Sequence, residues 1–232
     1  MSTMTVQRVR EGLWRWTAVH PEWNGAADWD AVVGSVYCET PEAIVVVDPL
    51  VPGDGEDAER FWSAFDRDVE RLGRPVAVLL TCRWHVRSAE AFRERHRARV
   101  YAPTGTGHAM QGGVTDLVHD EAEVLPGVVA LITGSPPPNE ECVYVMTEHR
   151  AAAVGDVLLG DATGGLRVAD REWYANSDAE CAWYRNDLPE ALERLLAYDL
   201  EYLLVAHGGA VVSDPGRALR SALARHRATR RI

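Results

Sequence analysis

The segment Val76-Ala77-Val78-Leu79-Leu80-Thr81 constrains the fold more than any other part of the chain. An apolar run of this length, with β-branched residues, has no polar face to turn to water. It reads as a strand buried on both sides in the interior of a sheet. It stops abruptly at Cys82-Arg83-Trp84-His85-Val86-Arg87-Ser88, which crowds a thiol, an indole, an imidazole and two guanidinium groups together. Ser88 is placed to N-cap a helix carrying Glu90, Ala91, Phe92 and Arg95. Strand, polar loop and helix N-terminus in succession is where α/β proteins usually keep their chemistry.

The rest of the chain falls into place around that run. Gly12 to Ala18, Ser35 to Glu39 and Ala43 to Asp48 read as strands, the last ending in Val45-Val46-Val47-Asp48-Pro49. Four of the eight tryptophans (Trp14, Trp16, Trp23, Trp29) lie in this N-terminal part, where core and edge packing is the plainer reading over a substrate-lining role. Gly53 to Asp57 opens a helix with Phe61, Trp62, Phe65, Val69 and Leu72 on one face, and Gly73 is its stop. Ala98 to Ala102 is a further strand, giving an order ββαβαβ. Thr104 to Gly113, with Gly107 and His108, is glycine-rich but lacks the Gly-Lys-Ser/Thr ending of a phosphate loop and reads as a flexible connection. Asp116 to Ile132 reads as strands broken at Pro126-Gly127; Cys142 to Thr147 and Ala151 to Leu159 pair across Glu148-His149-Arg150. Asp187-Leu188-Pro189-Glu190 has the layout of a capping box at a helix start, Glu201 to Ala206 is a last strand, and Asp214-Pro215 opens a final helix. No linker, repeat or low-complexity tract divides residues 1–232, so a single domain is expected, with its core at about 12–223.

Composition excludes several functions. A formal net charge of −11 works against a broad nucleic-acid footprint and against docking on anionic lipid. No apolar run approaches the ~20 residues of a membrane span. The first residues are polar, and the four scattered cysteines (38, 82, 142, 181) form no C-x-x-C pair, so reduced thiols in a cytoplasm are the expectation.

Two N-terminal strands ending in Val-Val-Asp48-Pro, a strand ending in Thr81 before a helix, Gly155-Asp156 after a hairpin, and a final strand ending in Ala206-His207-Gly208 together resemble the metallo-β-lactamase-fold superfamily. The resemblance spans about Gly12 to Leu223 and implies a four-layer αβ/βα sandwich: two mixed sheets face to face, helices outside, and a site along one sheet edge. Members of that family place His-x-His-x-Asp-His directly after the threonine. Here those places hold Cys82, Trp84, Val86 and Arg87, and His85 is out of register by one. A further ligand position is taken by Ser135 in Gly134-Ser135-Pro136. Asp156 matches the carboxylate that bridges two metals, and His207 matches the last ligand.

Two retained ligands do not hold a metal pair. The resemblance therefore implies a divergent member that has lost the dinuclear centre, needs no cofactor and serves as a small-molecule binder or accessory protein. A small-molecule hydrolase of an ester, amide or thioester, with one metal or none, is the first alternative, and a structural or regulatory interaction protein is the second. Cys82, His85, Asp156 and His207 are the catalytic candidates and, alternatively, the four ligands of a single zinc, although an arginine beside the loop works against a cation. Cys82 with His85 and Asp156 or Asp48 also has the types of a nucleophile, base and orienter. Trp84, Arg87, Ser135 and Asp48 are ligand-binding candidates. His85 is expected to be re-aimed by a bulge toward Asp156 and His207, and Arg87 to neutralise Asp156 in place of a metal. The expected partner is a small molecule, and oligomeric state stays open. A solvent-reachable pocket holding His85, Asp156 and His207 favours the binder or the hydrolase; a site plugged by Trp84 favours the interaction protein.

Overall fold

The computed structural model describes residues 4–25, 29–53, 55–106, 109–110, 112–161, 163–174, 176–209 and 211–229. Asp54, Gly107 and His108, and the end of the basic tail at 230–232, lie outside the described residues.

The first sheet has seven strands lying side by side in chain order. They are β1 (Met4–Arg10), β2 (Leu13–Val19), β3 (Val32–Glu39), β4 (Ile44–Val47), β5 (Val76–Leu79), β6 (Arg99–Ala102) and β7 (Asp116–Leu117). β1 to β4 are antiparallel, while β4 to β7 are parallel. Parallel pairs need crossovers; α1 (Glu56–Leu72) supplies the one from β4 to β5 and α2 (Ala89–His96) the one from β5 to β6. The second sheet is built from β8 (Glu123–Leu125), β9 (Val128–Ile132), β10 (Cys142–Met146) and β11 (Ala151–Val154). A separate hairpin of β12 (Leu158–Gly160) and β13 (Leu166–Val168) precedes α3 (Asp178–Glu193), and β14 (Tyr202–Val205), β15 (Val211–Val212) and α4 (Pro215–Thr229) complete the chain. The order is β15-β14-β11-β10-β9-β8, antiparallel except for the parallel pair β11 and β14.

Alternation along the strands sorts side chains into layers. Val45, Val47, Ala77 and Leu79 turn toward Cys142, Tyr144, Met146, Ala153 and Leu204 and fill the space between the sheets. Ile44, Val46, Val76, Val78 and Leu80 turn the other way, onto Phe65 of α1 and Phe92 of α2. On the far side, Val143, Val145, Val154, Leu203 and Val205 meet Trp183, Leu188 and Leu192 of α3 and Leu219 and Leu223 of α4. Each central strand is thus buried on both faces, which is why its sequence is apolar throughout. The result is the four-layer αβ/βα sandwich with two mixed sheets.

Several local expectations change. β1, in the polar N-terminal stretch, pairs as an edge strand, and its exposed residues carry no alternation to read. Ser88 does sit at the start of α2, but its hydroxyl makes no cap bond; it accepts the Val51 N–H at 2.9 Å and ties two loops together instead. α3 starts well before the Asp187 cap read from the sequence. Ser177 accepts the Glu180 N–H at 3.1 Å as its N-cap, and Pro189 lies inside the helix. An internal proline costs about 3 kcal/mol, offset here by burial of Trp183, Leu188 and Leu192 against the second sheet. α1 stops as expected: Gly73 adopts φ 61° and its N–H reaches Val69 O at 2.9 Å. Among the described residues no helix is long and apolar enough to cross a membrane.

Candidate functional site

Four strand ends meet at one edge of the sandwich. Asp48 follows β4, Cys82 and His85 follow the parallel neighbour β5, Asp156 follows β11, and His207 follows its parallel neighbour β14. The Gly34 N–H donates to Ala206 O at 2.7 Å and Val33 bridges His207, so the two sheets are stitched together at this edge. The strands ending at Thr81 and Ala206 therefore open onto the same side.

A 3₁₀ turn at Arg83–His85, rather than a bulge, absorbs the shift in register. It swings His85 inward to 3% exposure and leaves Trp84 at 65%. His85 Nδ1 lies 2.8 Å from Asp48 Oδ2. Asp48 also accepts the Thr81 N–H at 2.8 Å and the Thr81 hydroxyl at 2.6 Å. These contacts fix both the carboxylate and the ring. His85 Nε2 then stands 3.0 Å from Asp156 Oδ1, and His207 Nε2 approaches the same oxygen at 3.2 Å. Cys82 Sγ is 3.7 Å from Asp156 Oδ2. Among the described residues, Asp156 Oδ1 is crowded by two nitrogens without an aligned hydrogen bond, and buried His207 Nδ1 has no hydrogen-bond partner.

The charges of this cluster are strongly interdependent. Burial and the Arg87 charge push His85 down, but Asp156, Cys82 and Asp48 outweigh them and hold the imidazole well above its ordinary range. Burial pushes the Asp156 carboxyl up, yet the His85 charge and contact with His207 hold it well below the usual carboxylate range. Burial raises the Cys82 thiol to about 12, so as it stands the sulfur is a protonated thiol at neutral pH.

Arg87 does not neutralise Asp156. Its Nη1 donates to two backbone carbonyls, Gly34 O and Asp48 O, both at 2.9 Å. Arg87 takes a left-handed φ of 40°, and the place beside Asp156 is filled by His85 instead. Ser135 is buried and occupied, donating to Asn139 O at 2.6 Å and accepting the Glu141 N–H at 3.0 Å. It does not border the cleft.

That cleft, about 470 Å³, is bordered by Cys82, Arg83, Trp84, His85, Arg87, Asp156 and His207. It is also bordered by residues the sequence reading did not single out: His20, Glu141, Trp173, Tyr174 and Asn176. Glu141 is the most consequential. Its carboxyl accepts the Tyr174 hydroxyl at 2.6 Å and the Asp156 N–H at 3.1 Å. Burial, followed by the Asp156 charge, raises it to about 8. The one signal in the sequence was an acidic residue entering an apolar strand at Glu141-Cys142. The N-terminal tryptophans divide: Trp16 is core, donating to Leu50 O at 2.7 Å, whereas Trp29 is a cleft wall.

Several solved structures with similar architecture are metallo-β-lactamases. The DIM-1 metallo-β-lactamase exposed to ceftazidime superposes with a TM-score of 0.70 at 13% identity, covering 98% of both chains. The FIM-1 metallo-β-lactamase from Pseudomonas aeruginosa in its mono-zinc form gives 0.68 at 14% identity, over 100% of this chain and 97% of that one. A metallo-β-lactamase from Hirschia baltica gives 0.65 at 16% identity, over 97% and 98%. This chain has the metallo-β-lactamase fold. No protein-family model and no curated protein sequence matches it.

Within the metallo-β-lactamase fold, Cys82, His85 and Asp156 place donor atoms within 4.8 Å of one another, as a group that could hold one cation. Tetrahedral zinc holds N, S and O donors at about 2.0–2.3 Å, which spaces them roughly 3.3–3.8 Å apart. The contacts of 3.0 and 3.2 Å at Asp156 Oδ1 and 3.7 Å at Cys82 Sγ lie close to that shell. The orphaned Asp156 Oδ1 is the kind of atom a cation satisfies. Asp48 on the far nitrogen of His85 is the usual partner of a metal-bound imidazole. At other places of the family's ligand motif, Trp84 and Val86 offer no donor, and Ser135 is committed to Asn139 and Glu141.

Proposed function

We propose that the chain is a divergent metallo-β-lactamase-fold protein that has exchanged the two-metal centre for a single-cation site and binds a small molecule in the cleft above it. Cys82, His85, Asp156 and His207 would hold the cation, with Asp48 orienting His85. When bound, such an ion supplies Lewis acidity toward a polar group of the ligand. The single observation carrying this reading is the convergence of two Nε2 atoms, at 3.0 and 3.2 Å, on one buried carboxylate oxygen, with the Cys82 sulfur 3.7 Å from the other. The interaction-protein reading is the weaker one, because Trp84 stands at the rim and leaves the cleft open.

A hydrolase of a small ester, amide or thioester is the second reading, favoured by Glu141. A carboxyl raised to about 8 and bordering the cleft can both take and give a proton near neutral pH. Covalent catalysis by Cys82 has less support, since burial raises its thiol to about 12 and keeps it protonated at neutral pH.

Elemental analysis of protein purified without nickel or chelator tests the first reading. One zinc per chain is expected, falling to a small fraction in Asp156→Ala. Zinc-free protein that also fails to take up one equivalent overturns it. Hydrolysis of a panel of nitrophenyl esters and thioesters by zinc-loaded protein, lost in Glu141→Gln, tests the second.

A further inference from the structure

Arg83 and Trp84, in the turn that takes the place of the family's ligand motif, are arranged as a recognition surface. Trp84 is 65% exposed, and the Arg83 guanidinium lies over its ring at 5.0 Å from the centroid. Stacking fixes the plane of the guanidinium while leaving its N–H edge free to donate. Arg83 makes no ion-pair contact among the described residues, although the chain as a whole carries a net charge of −11, whereas Arg87 is buried beside the Asp48 and Asp156 charges. Arg87 is held rigidly in the wall by its two backbone carbonyls. Deeper in, Trp29 and Trp173 set ring edges against His207 from two directions, with centroids at 5.9 and 6.0 Å. The cleft therefore offers one cation without an ion-pair contact among the described residues, Arg83, and flat apolar walls beside His207. Among the described residues that line the cleft, the carboxyls are Asp156, Glu141, which is raised to about 8, and Glu22.

We propose that the cleft selects small anions, carboxylates or phosphate-type monoesters, that carry a flat apolar group, with the anion on Arg83 and the ring between Trp84 and the Trp29–Trp173 walls. A cleft of about 470 Å³ accommodates a molecule of that size. Guanidinium groups receive both oxyanion types in a forked, two-bond geometry, and an indole already paired with a cation adds apolar contact beside the charge. The proposal rests on the reading above only in taking this cleft as the working site, because the selecting residues lie at the mouth and are not cation ligands.

Phenylphosphonate, phenylacetate, benzyl alcohol and benzylamine are titrated into the full chain by calorimetry, once after EDTA treatment and once loaded with zinc. The two anions are expected to bind in both states and at least about tenfold more tightly than the alcohol or the amine. Arg83→Ala is expected to abolish that preference, Trp84→Ala to weaken all aromatic probes several-fold, and salt at about 0.5 M to weaken the anions alone. Both side chains are at the surface, and unchanged circular dichroism shows that the variants fold. Equal binding of the alcohol, tighter binding of the amine, no binding of either anion, or anion binding that requires zinc and ignores Arg83→Ala overturns the proposal. Zinc content tests the centre separately, so either idea can fail alone.

Discussion

Asp48 holds the loop that carries the candidate site, and removing its carboxylate should be costly in a specific way. The side chain is 3% exposed and accepts three hydrogen bonds, from the Thr81 amide, the Thr81 hydroxyl and His85 Nδ1. In Asp48→Ala the Thr81 amide is left buried without a partner, and His85 loses one of its two flanking carboxylates. Leaving a buried charge uncompensated typically costs about 3–5 kcal/mol, and for a domain of this size each kcal/mol shifts Tm by roughly 2–4 °C. A loss of about 4 kcal/mol, or roughly 8–16 °C, is therefore expected. Asp48→Asn keeps the shape and can still accept from Thr81, so it should lose less, about 1–3 kcal/mol. The pH dependence separates this from a simple packing defect. His85 is held above its unfolded range, so its contribution is fully present below about pH 6.5 and fades as pH rises through the folded value. The gap between wild type and Asp48→Asn should be widest in acid and narrow toward alkaline pH. Urea unfolding followed by tryptophan fluorescence, on EDTA-treated protein from about pH 5 to 9, measures it. A loss below about 1 kcal/mol for Asp48→Ala, or a gap that does not change with pH, refutes the reasoning.

Two further outcomes follow from the same edge. Gly160 touches the loop after β14 so closely that an added Cβ would lie 2.2 Å from the Gly209 backbone nitrogen, and its N–H donates to His207 O at 2.9 Å. Gly160→Ala should displace His207, costing about 1–3 kcal/mol of stability and lowering zinc uptake; unchanged uptake in a folded variant would dissociate His207 from the site. Glu141, raised to about 8, stays protonated in the folded chain while the unfolded chain ionises near 4.5, so wild type loses stability as pH rises through that window. Glu141→Gln has no proton to lose and should gain on wild type by an amount on the order of a few kcal/mol between about pH 4.5 and 8. Parallel stability curves from urea titrations would show that the carboxyl is not held neutral.

Much of this architecture was legible in the residues because burial on two faces demands it. Val76 to Leu80, Val45 to Val47 and Cys142 to Met146 are apolar throughout since each lies between a helix layer and the other sheet. Their order placed Asp48, Asp156 and His207 at strand ends. Local chemistry also fixed the stop of α1 at Gly73, whose left-handed backbone suits glycine. The start of α3 was not fixed locally, because burial of Trp183 and Leu188 against a distant sheet outweighs Pro189. The site was legible in location and not in wiring. No spacing rule says that a 3₁₀ turn will seat His85 between Asp48 and Asp156, 37 residues away on one side and a sheet away on the other. Nor does one say that Arg87, occupying the motif's last place, will reach Gly34 and Asp48 carbonyls, or that Glu141 will lie against the Asp156 amide. Sequence sets which side chains are buried through their periodicity. Which charges face each other is decided only when strands far apart in the chain are brought to a common edge.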